Sequence, residues 1–287
     1  MNPYASVGPI RLSLIGIIRS EWIKFASLRT NHLVLSFFII VSVGFNAILC
    51  FGLYRNGNTD DLAGLHISEL IAQMTIMVGT LVSGVLGVLS MTHEYSSGLI
   101  RSSFTAVPRR LPVVVGKAVI LIITASVTSL VAIALSYLAA WMFLRGTGVD
   151  LSFYAGENGR ILGGVVLYVV TVTLLGLMVG SLIHTTPGAL AVIIAVAFVL
   201  PLGADLLHNL AVNSAPGGYA LWQRLIFYAI ELLPTEAGEP LVTWAGTTSD
   251  LTPSLHLGII GGVAVMWAWV LVFAIPALIR LRVRDVA

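Results

Sequence analysis

Six long apolar stretches most constrain what this chain can fold into. Each is close to the ~20 residues that a helix needs to cross the hydrocarbon core of a bilayer. Only 10% of the 287 residues are charged, against about 25% in soluble domains, so the polar surface of a water-soluble fold is missing. We therefore expect an all-α polytopic membrane protein with six transmembrane helices, at about residues 33–54, 70–92, 113–144, 161–183, 188–208 and 256–280.

The distribution of charge predicts how these spans are oriented. Eleven of the 15 lysines and arginines lie in the N-terminus, in residues 93–117 and in the C-terminus, whereas 10 of the 13 acids lie in the other connections. Because cationic residues concentrate in cytoplasmic loops, both termini are expected in the cytoplasm. We divide the chain into a cytoplasmic N-terminus (1–32), a six-span domain (33–280) and a cytoplasmic tail (281–287).

Residues 9–31 place apolar residues at helical spacing with charged residues among them. This pattern is typical of a helix that lies in the membrane interface, with an aromatic anchor and with cations facing anionic lipid. A positively charged flank that only sets topology is the alternative, and it is compatible with an interfacial helix. The residues assigned to this helix are Arg19, Glu21, Trp22 and Lys24.

Residues 209–255 are too long for a simple connection. They contain an apolar, aromatic piece at 219–233, ended by Pro234, that is too short and too charged to span the membrane. A re-entrant or interfacial helix fits this composition. A seventh span would move the C-terminal arginines to the outer side and break the charge distribution.

Catalytic motifs are absent from the sequence. His93-Glu94 begins like a zinc-protease signature, but the second histidine position is Ser97. Gly116-Lys117 has Leu111 in place of the first glycine of a P-loop, so the chain does not carry that nucleotide-binding motif. We expect no enzyme and no cofactor in this chain.

The expected spans hold essentially no ionisable groups away from their ends, whereas ion-driven transport needs such groups. Energy for transport would therefore come from a partner. Neutral polar residues in the spans are candidates for a translocation path, although such groups more often form interhelical hydrogen bonds. They include Ser42, Asn46, Gln73, Thr80 and Ser83.

Residues 93–110 form the longest polar interval with an excess of positive charge. Leu99, Phe104 and Val107 give an apolar face to a short predicted helix that ends at Pro108, with Arg101 on its polar side. Such a helix can dock in a groove on a soluble partner. A charged loop that only fixes topology is the alternative.

The pattern Glu94-Tyr95-x-x-Gly98-x-Ile100-Arg101, then Thr105-Ala106-Val107-Pro108-Arg109-Arg110 and Lys117-Ala118, resembles the permeases of type-2 ATP-binding-cassette exporters. The likeness is to the actinobacterial branch and the drug and peptide-antibiotic resistance branch. Residues 19–24 and the six-span plan are also similar to this family.

This resemblance implies an assembly of two permeases, identical or paralogous, with two ATPase subunits that use ATP and Mg. It implies a coupling helix at about 97–107 between spans 2 and 3, and a re-entrant hairpin between spans 5 and 6. Leu99 stands where the family commonly has threonine. The residues implied in coupling to the ATPase are Glu94, Gly98, Leu99, Arg101, Phe104, Val107, Arg109 and Arg110.

The expected function is that of a permease subunit in the bacterial plasma membrane, which exports a lipophilic or amphipathic cargo such as a drug, an antimicrobial peptide or a lipid-like molecule. A secondary transporter or channel is one alternative, and it would work without an ATPase. A non-transporting membrane anchor or sensor subunit is the other.

Overall fold

A computed structural model of the chain describes residues 14–57, 66–96, 111–147, 151, 156–213, 220–244, 255 and 257–283. This described part is helical and contains no strand. Its helices are α1 (Leu14–Ser27), α2 (Arg29–Asn56), α3 (Ile67–Ser96), α4 (Leu111–Leu144), α5 (Gly156–Ile183), α6, α7 (Leu221–Glu231), α8 (Pro234–Val242) and α9 (Gly258–Val283). Helix α6 consists of Thr186–Ile194 and Leu200–Asn213, joined by the π-helical turn Ala195–Val199.

Six of these helices, α2 to α6 and α9, are long and apolar enough to cross a membrane. They match the six stretches expected from the sequence, so the expectation of an all-helical chain with six candidate spans is confirmed. The helices extend a few residues beyond most of the expected bounds. The largest extensions are at α5, which begins at Gly156, and at α6, which continues to Asn213.

Successive spanning helices run in opposite directions, so their ends form two faces of the bundle. We call the face that carries Glu21, Lys24, Glu94 and Lys117 the lysine end. The opposite face, which carries Glu236 and other acids, is called the acidic end. The charge segregation of the sequence thus appears as two chemically distinct ends.

Helices α3 and α5 run parallel and share the most extensive contact in the bundle. Glycines make this contact close: a Cβ atom at Gly87 would clash with the carbonyl oxygen of Thr173, and one at Gly176 would clash with that of Gly84. Small residues let backbones approach where lipid supplies no hydrophobic driving force. Gly84 and Gly87 of α3 therefore serve packing within the chain.

At the acidic end, α7 and α8 form a hairpin between α6 and α9. Helix α7 lies within the apolar piece expected at 219–233, whereas a second helix here was expected only through the hairpin that the resemblance implies. Pro234 ends the first helix and occupies the first turn of the second, where its fixed φ and missing N–H are tolerated.

Helix α8 is held against α5 by close packing and by hydrogen bonds. Gly164 of α5 lies against the carbonyl group of Leu241. The Arg160 guanidinium donates to the carbonyl oxygens of Pro240 at 3.0 Å and Thr243 at 2.6 Å. These bonds satisfy carbonyl groups that the end of a helix leaves unpaired.

Candidate functional site

Helix α1 presents one face to the bundle and another to its surroundings. Ile17, Glu21 and Phe25, spaced four residues apart, are buried, whereas Trp22 is 47% exposed. Gly116 of α4 permits the close contact, because a Cβ atom there would lie 3.1 Å from Ile17 Cγ2. The buried face therefore brings Glu21 to the start of α4, and the exposed face retains the aromatic anchor expected of an interfacial helix.

Four charged side chains meet between α1, α3 and α4. Lys117 Nζ lies 2.8 Å from Glu21 Oε2 and 3.0 Å from Glu94 Oε1. Lys24 Nζ lies 2.7 Å from Glu21 Oε1 and 3.2 Å from the same oxygen of Glu94. These are the only two lysines of the whole sequence. We call these four residues the ion network.

The ion network is largely withdrawn from solvent. Glu21 is 3% exposed, and Glu94 and Lys117 are each 7% exposed, whereas the Lys24 side chain is 34% exposed. Removing one member of a buried, paired network leaves its partners as uncompensated buried charge. The network therefore ties α1 firmly to α3 and α4.

The two members of the ion network on α1, Glu21 and Lys24, are both stabilised in their ionised forms. Burial by itself would raise the pKa of Glu21, but the ammonium of Lys117 and then that of Lys24 outweigh it, so the pKa lies below its ordinary value. Burial opposes the charge of Lys24 as well, but the Glu21 and Glu94 carboxylates raise its pKa above the ordinary value. At neutral pH Glu21 is therefore an anion and Lys24 a cation.

The position of the network connects it to the polar interval of the sequence. Glu94 lies two residues before the end of α3, and Lys117 lies six residues after the start of α4. The network thus joins the two helix ends that flank residues 97–110 in the chain and adds α1 to the same unit. The residues Gly98, Leu99, Arg101, Phe104, Val107, Arg109 and Arg110, and with them the expected coupling helix at 97–107, lie outside the described part of the chain.

Glu94 has a role in this arrangement that the sequence did not indicate. Its carboxylate is engaged by both lysines, so it positions the ends of α3 and α4. Its expected contact with a partner stays a prediction. Of the four residues assigned to the interfacial helix, Arg19 and Trp22 are exposed, and Glu21 and Lys24 belong to the network.

Sequence reasoning treated Lys117 as a flanking charge and Lys24 as a lipid contact. The sequence nevertheless contained a signal for the ion network. A chain with only two lysines places one at i+3 from Glu21 and the other at the start of the third apolar run.

The same end carries two further tertiary contacts. The rings of Tyr95 and His184 meet edge to face, with centroids 4.2 Å apart. Arg280 of α9 donates to the carbonyl oxygen of Leu182 at 2.6 Å. These contacts join the ends of α3, α5 and α9 next to the network.

The candidate path residues fall into different environments. Ser42 and Asn46 are fully buried, and the Asn46 amide lies 3.3 Å from Thr75 Oγ1 and 3.1 Å from Ser136 Oγ. These bonds join α2, α3 and α4. For Asn46, this pattern favours a hydrogen-bonding role between helices over a role in a translocation path.

Gln73 and Thr80, by contrast, line an open cleft of about 250 Å³ between α3, α5, α6 and α8. Thr80 Oγ1 is hydrogen-bonded to Tyr168 OH at 3.2 Å. Phe198, in the π-helical turn of α6, lies on the other wall. Ser83 faces a much smaller gap beside Phe38 and Val169. The cleft thus offers an apolar surface with a few neutral polar groups.

Two chemical features complete the site. Across the described residues, no group of three or more His, Cys, Asp or Glu side chains is arranged to hold a metal ion. The charged groups of the ion network pair with one another, and this arrangement suits the mechanical connection of helices.

No protein-family model matches the chain, and a search of curated proteins finds no match either.

Proposed function

We propose that the chain is the membrane-spanning permease subunit of a type-2 ATP-binding-cassette exporter. A separate ATPase subunit would bind ATP and Mg, and a second permease, identical or paralogous, would complete a two-plus-two assembly. The six candidate spans and the motif beginning at Glu94 support this proposal. The positive charge around residues 93–117 supports a cytoplasmic location of the lysine end.

The observation that carries the proposal is the buried ion network. It joins α1 to both helices that flank residues 97–110, where the sequence resembles a coupling segment. A push on that segment would displace the ends of α3 and α4 together. The interfacial helix would follow, because separating it would leave buried charge unpaired.

The remaining features fit the same function. The α7–α8 hairpin corresponds to the outer re-entrant hairpin that the resemblance implies. Its second helix runs beside α5, with Thr235 near Thr171 and Leu241 near Gly164. The cleft lined by Gln73 and Thr80 suits a lipophilic or amphipathic cargo, since neutral polar groups orient a ligand that apolar walls bind.

Reconstitution with the cognate ATPase tests the proposal. The ATPase should copurify with the chain, and proteoliposomes containing both should move a fluorescent amphipathic probe only when ATP is supplied. Ionophores should not change the initial rate. Transport without ATPase that collapses with ionophores would establish a secondary transporter. Stable binding of the ATPase without movement of any probe would favour an anchor or sensor subunit.

Variants in the coupling segment sharpen this test. Replacing Gly98 and Arg101 together, Gly98→Pro with Arg101→Glu, should reduce probe transport and its ATP dependence at least tenfold while the chain still inserts. Arg224→Glu, an exposed reversal of charge on α7, is the matched control and should leave transport within twofold. ATP turnover and transport unchanged in the double variant would refute the coupling assignment.

A further inference from the structure

A cavity of about 150 Å³ lies at the lysine end, between the α1–α2 junction and helices α3 and α4. Its buried wall has an apolar part, where Phe25 is 8% exposed, Ile120 4% and Leu121 0%, and a polar part formed by Asn31 and the ion network. Lys24, Ser27 and His93 also line it, and these are exposed or half-buried. The cavity is therefore accessible at its mouth, beside Lys24, Ser27 and His93, and its apolar floor lies at Ile120 and Leu121, one helical turn beyond Lys117.

The charges at the mouth favour an anion. The two carboxylates that line the cavity, Glu21 and Glu94, are buried and already accept the lysine ammonium groups. The partly exposed ammonium of Lys24 is the charged group at the mouth, with the imidazole of His93 beside it. The described residues of this end include five cationic side chains and two acidic ones. The cationic residues are Arg19, Lys24, Arg29, Lys117 and Arg280. The local potential is positive.

The depth of the cavity matches the boundary between headgroups and hydrocarbon. Helix α1 exposes apolar side chains on its outer face, with Ile15 at 79% and Ile23 at 58% exposure. An exposed apolar face on a helix that also carries cationic side chains suits a membrane interface. Helix α2 begins its candidate span at Arg29, directly after the junction. The mouth thus lies at the level of lipid phosphates, and the floor points toward the acyl chains.

We propose that this cavity is a binding site for an anionic phospholipid. The phosphate group lies at the mouth beside the Lys24 ammonium, and the upper part of one acyl chain covers Phe25, Ile120 and Leu121. A bound lipid fills the gap between α1 and the ends of α3 and α4, so it stabilises the docking of α1. Free inorganic phosphate shares the contact with Lys24 but leaves the apolar floor uncovered. This inference does not depend on the proposed transport function.

Native mass spectrometry of the purified chain, without any ATPase, tests the site. We expect one phosphatidylglycerol molecule to remain bound under conditions that strip phosphatidylcholine, with at least tenfold weaker retention of the latter. Ser90→Phe fills the cavity from α3 without removing a charge, because Ser90 lines the cavity and donates only to Gly87 within its own helix. Retention of phosphatidylglycerol by this variant should fall at least tenfold.

The neighbouring Leu89→Phe is the matched control and should retain lipid within twofold of the unaltered chain. Lys24→Gln should weaken phosphatidylglycerol binding and leave phosphatidylcholine binding unchanged. Millimolar inorganic phosphate should not displace the lipid, and displacement would identify a site for free phosphate instead. Equal retention of both lipids, or full retention by Ser90→Phe, would overturn the proposal.

A measurement on the unaltered chain covers the case in which Ser90→Phe does not fold. Phosphatidylglycerol with a diazirine near the top of its acyl chain should label Ile120 or Leu121 after illumination, as located by fragmentation of the labelled peptide. These side chains face away from bulk lipid, so general contact with the bilayer would not label them. Labelling confined to exposed residues such as Ile122 and Ile123 would contradict a bound lipid.

Discussion

Lys117 Nζ lies 2.8 Å from Glu21 Oε2 although 96 residues separate the two in the chain. Both side chains are nearly inaccessible, so this pair is a tertiary connection between α1 and α4. Because Glu94 accepts from the same ammonium, three helices meet at one cation. The arrangement makes α1 part of the bundle.

Replacing Lys117 by methionine should destabilise the chain strongly. Two buried carboxylates would lose a shared cation, and breaking a buried pair on one side costs about 3–5 kcal/mol. Thermal unfolding in a defined detergent measures the change. The double variant Glu21→Gln with Lys117→Met should be less destabilised than the sum of its single variants, since it removes both charges of one pair.

The control for this change is Arg224→Met, which removes an exposed cation at the acidic end and should change stability by at most about 0.5 kcal/mol. An unchanged unfolding temperature for Lys117→Met would mean that the ion network does not stabilise the fold.

The stability of the contact between α1 and the bundle should change with pH only in acid and in strongly alkaline solution. The pKa of Glu21 is lowered in the folded chain, so its contribution is complete above the unfolded value of about 4.5 and is lost as the pH falls through the folded value. The pKa of Lys24 is raised, so its contribution is lost only as the pH rises through a value above about 10.5. Between these limits the contribution of both groups should be constant.

Hydrogen exchange of the α1 amides, corrected for intrinsic rates, measures this docking. Exchange should accelerate below about pH 4.5 in the unaltered chain. In Glu21→Gln this acid-induced loss should disappear, and protection should be lower at every pH. Arg19→Gln, an exposed change on the same helix, should keep the acid-induced loss. Identical profiles for Glu21→Gln and the unaltered chain would show that the network does not hold α1.

The α7–α8 hairpin should respond to pH in the opposite sense. Burial, followed by the charges of Glu239 and Asp205, raises the pKa of Glu236 to about 7. A folded pKa above the unfolded value means that the folded hairpin takes up a proton first, so its stability increases as the pH falls from 8 toward 5.

Exchange of the α8 amides between pH 8 and 5 measures this effect. We expect greater protection at the lower pH. In Glu236→Gln protection should already be high at pH 8 and should vary less with pH. A variant that retains the full pH dependence would assign the effect to another group, such as Glu239, whose pKa burial and neighbouring acids also raise.

Two adjacent glycines of α5 should respond oppositely to the same substitution. A Cβ atom at Gly164 would clash with the carbonyl oxygen of Leu241, so Gly164→Ala should displace α8 and lower the unfolding temperature. A Cβ atom at Gly163 meets nothing within 4 Å, so Gly163→Ala should be neutral or stabilise by about 0.5–1 kcal/mol through helix propensity. Equal effects would show that α8 is not packed against α5 at this position.

The sequence was sufficient to predict the six spans, because hydropathy averaged over ~20 residues reports membrane insertion. It did not predict the ion network, because no local pattern brings residue 21 to residue 117. The start of α8 at Pro234 was missed for a related reason. Proline ends one helix and begins another equally well, and only packing against Gly164 and Gly262 selects a second helix.

The path candidates show the same limit. A serine, threonine or asparagine within an apolar run is compatible with a ligand or with a neighbouring helix, and only the fold decides which one it meets. Asn46 meets Ser136 of α4, whereas Gln73 lines an open cleft. The sequence analysis placed both residues among the candidates for a translocation path.

Substituting these two residues separates structure from transport. Asn46→Ala removes hydrogen bonds that join α2 to α3 and α4, which in membrane proteins contribute about 0.6–2 kcal/mol, and it leaves a small cavity. We expect a lower unfolding temperature with unchanged preference among transported probes. Gln73→Ala, in the exposed cleft, should leave the unfolding temperature unchanged and alter the relative rates for probes that differ in hydrogen-bonding groups. The reverse pattern would place the path at Asn46 and make the cleft a surface feature.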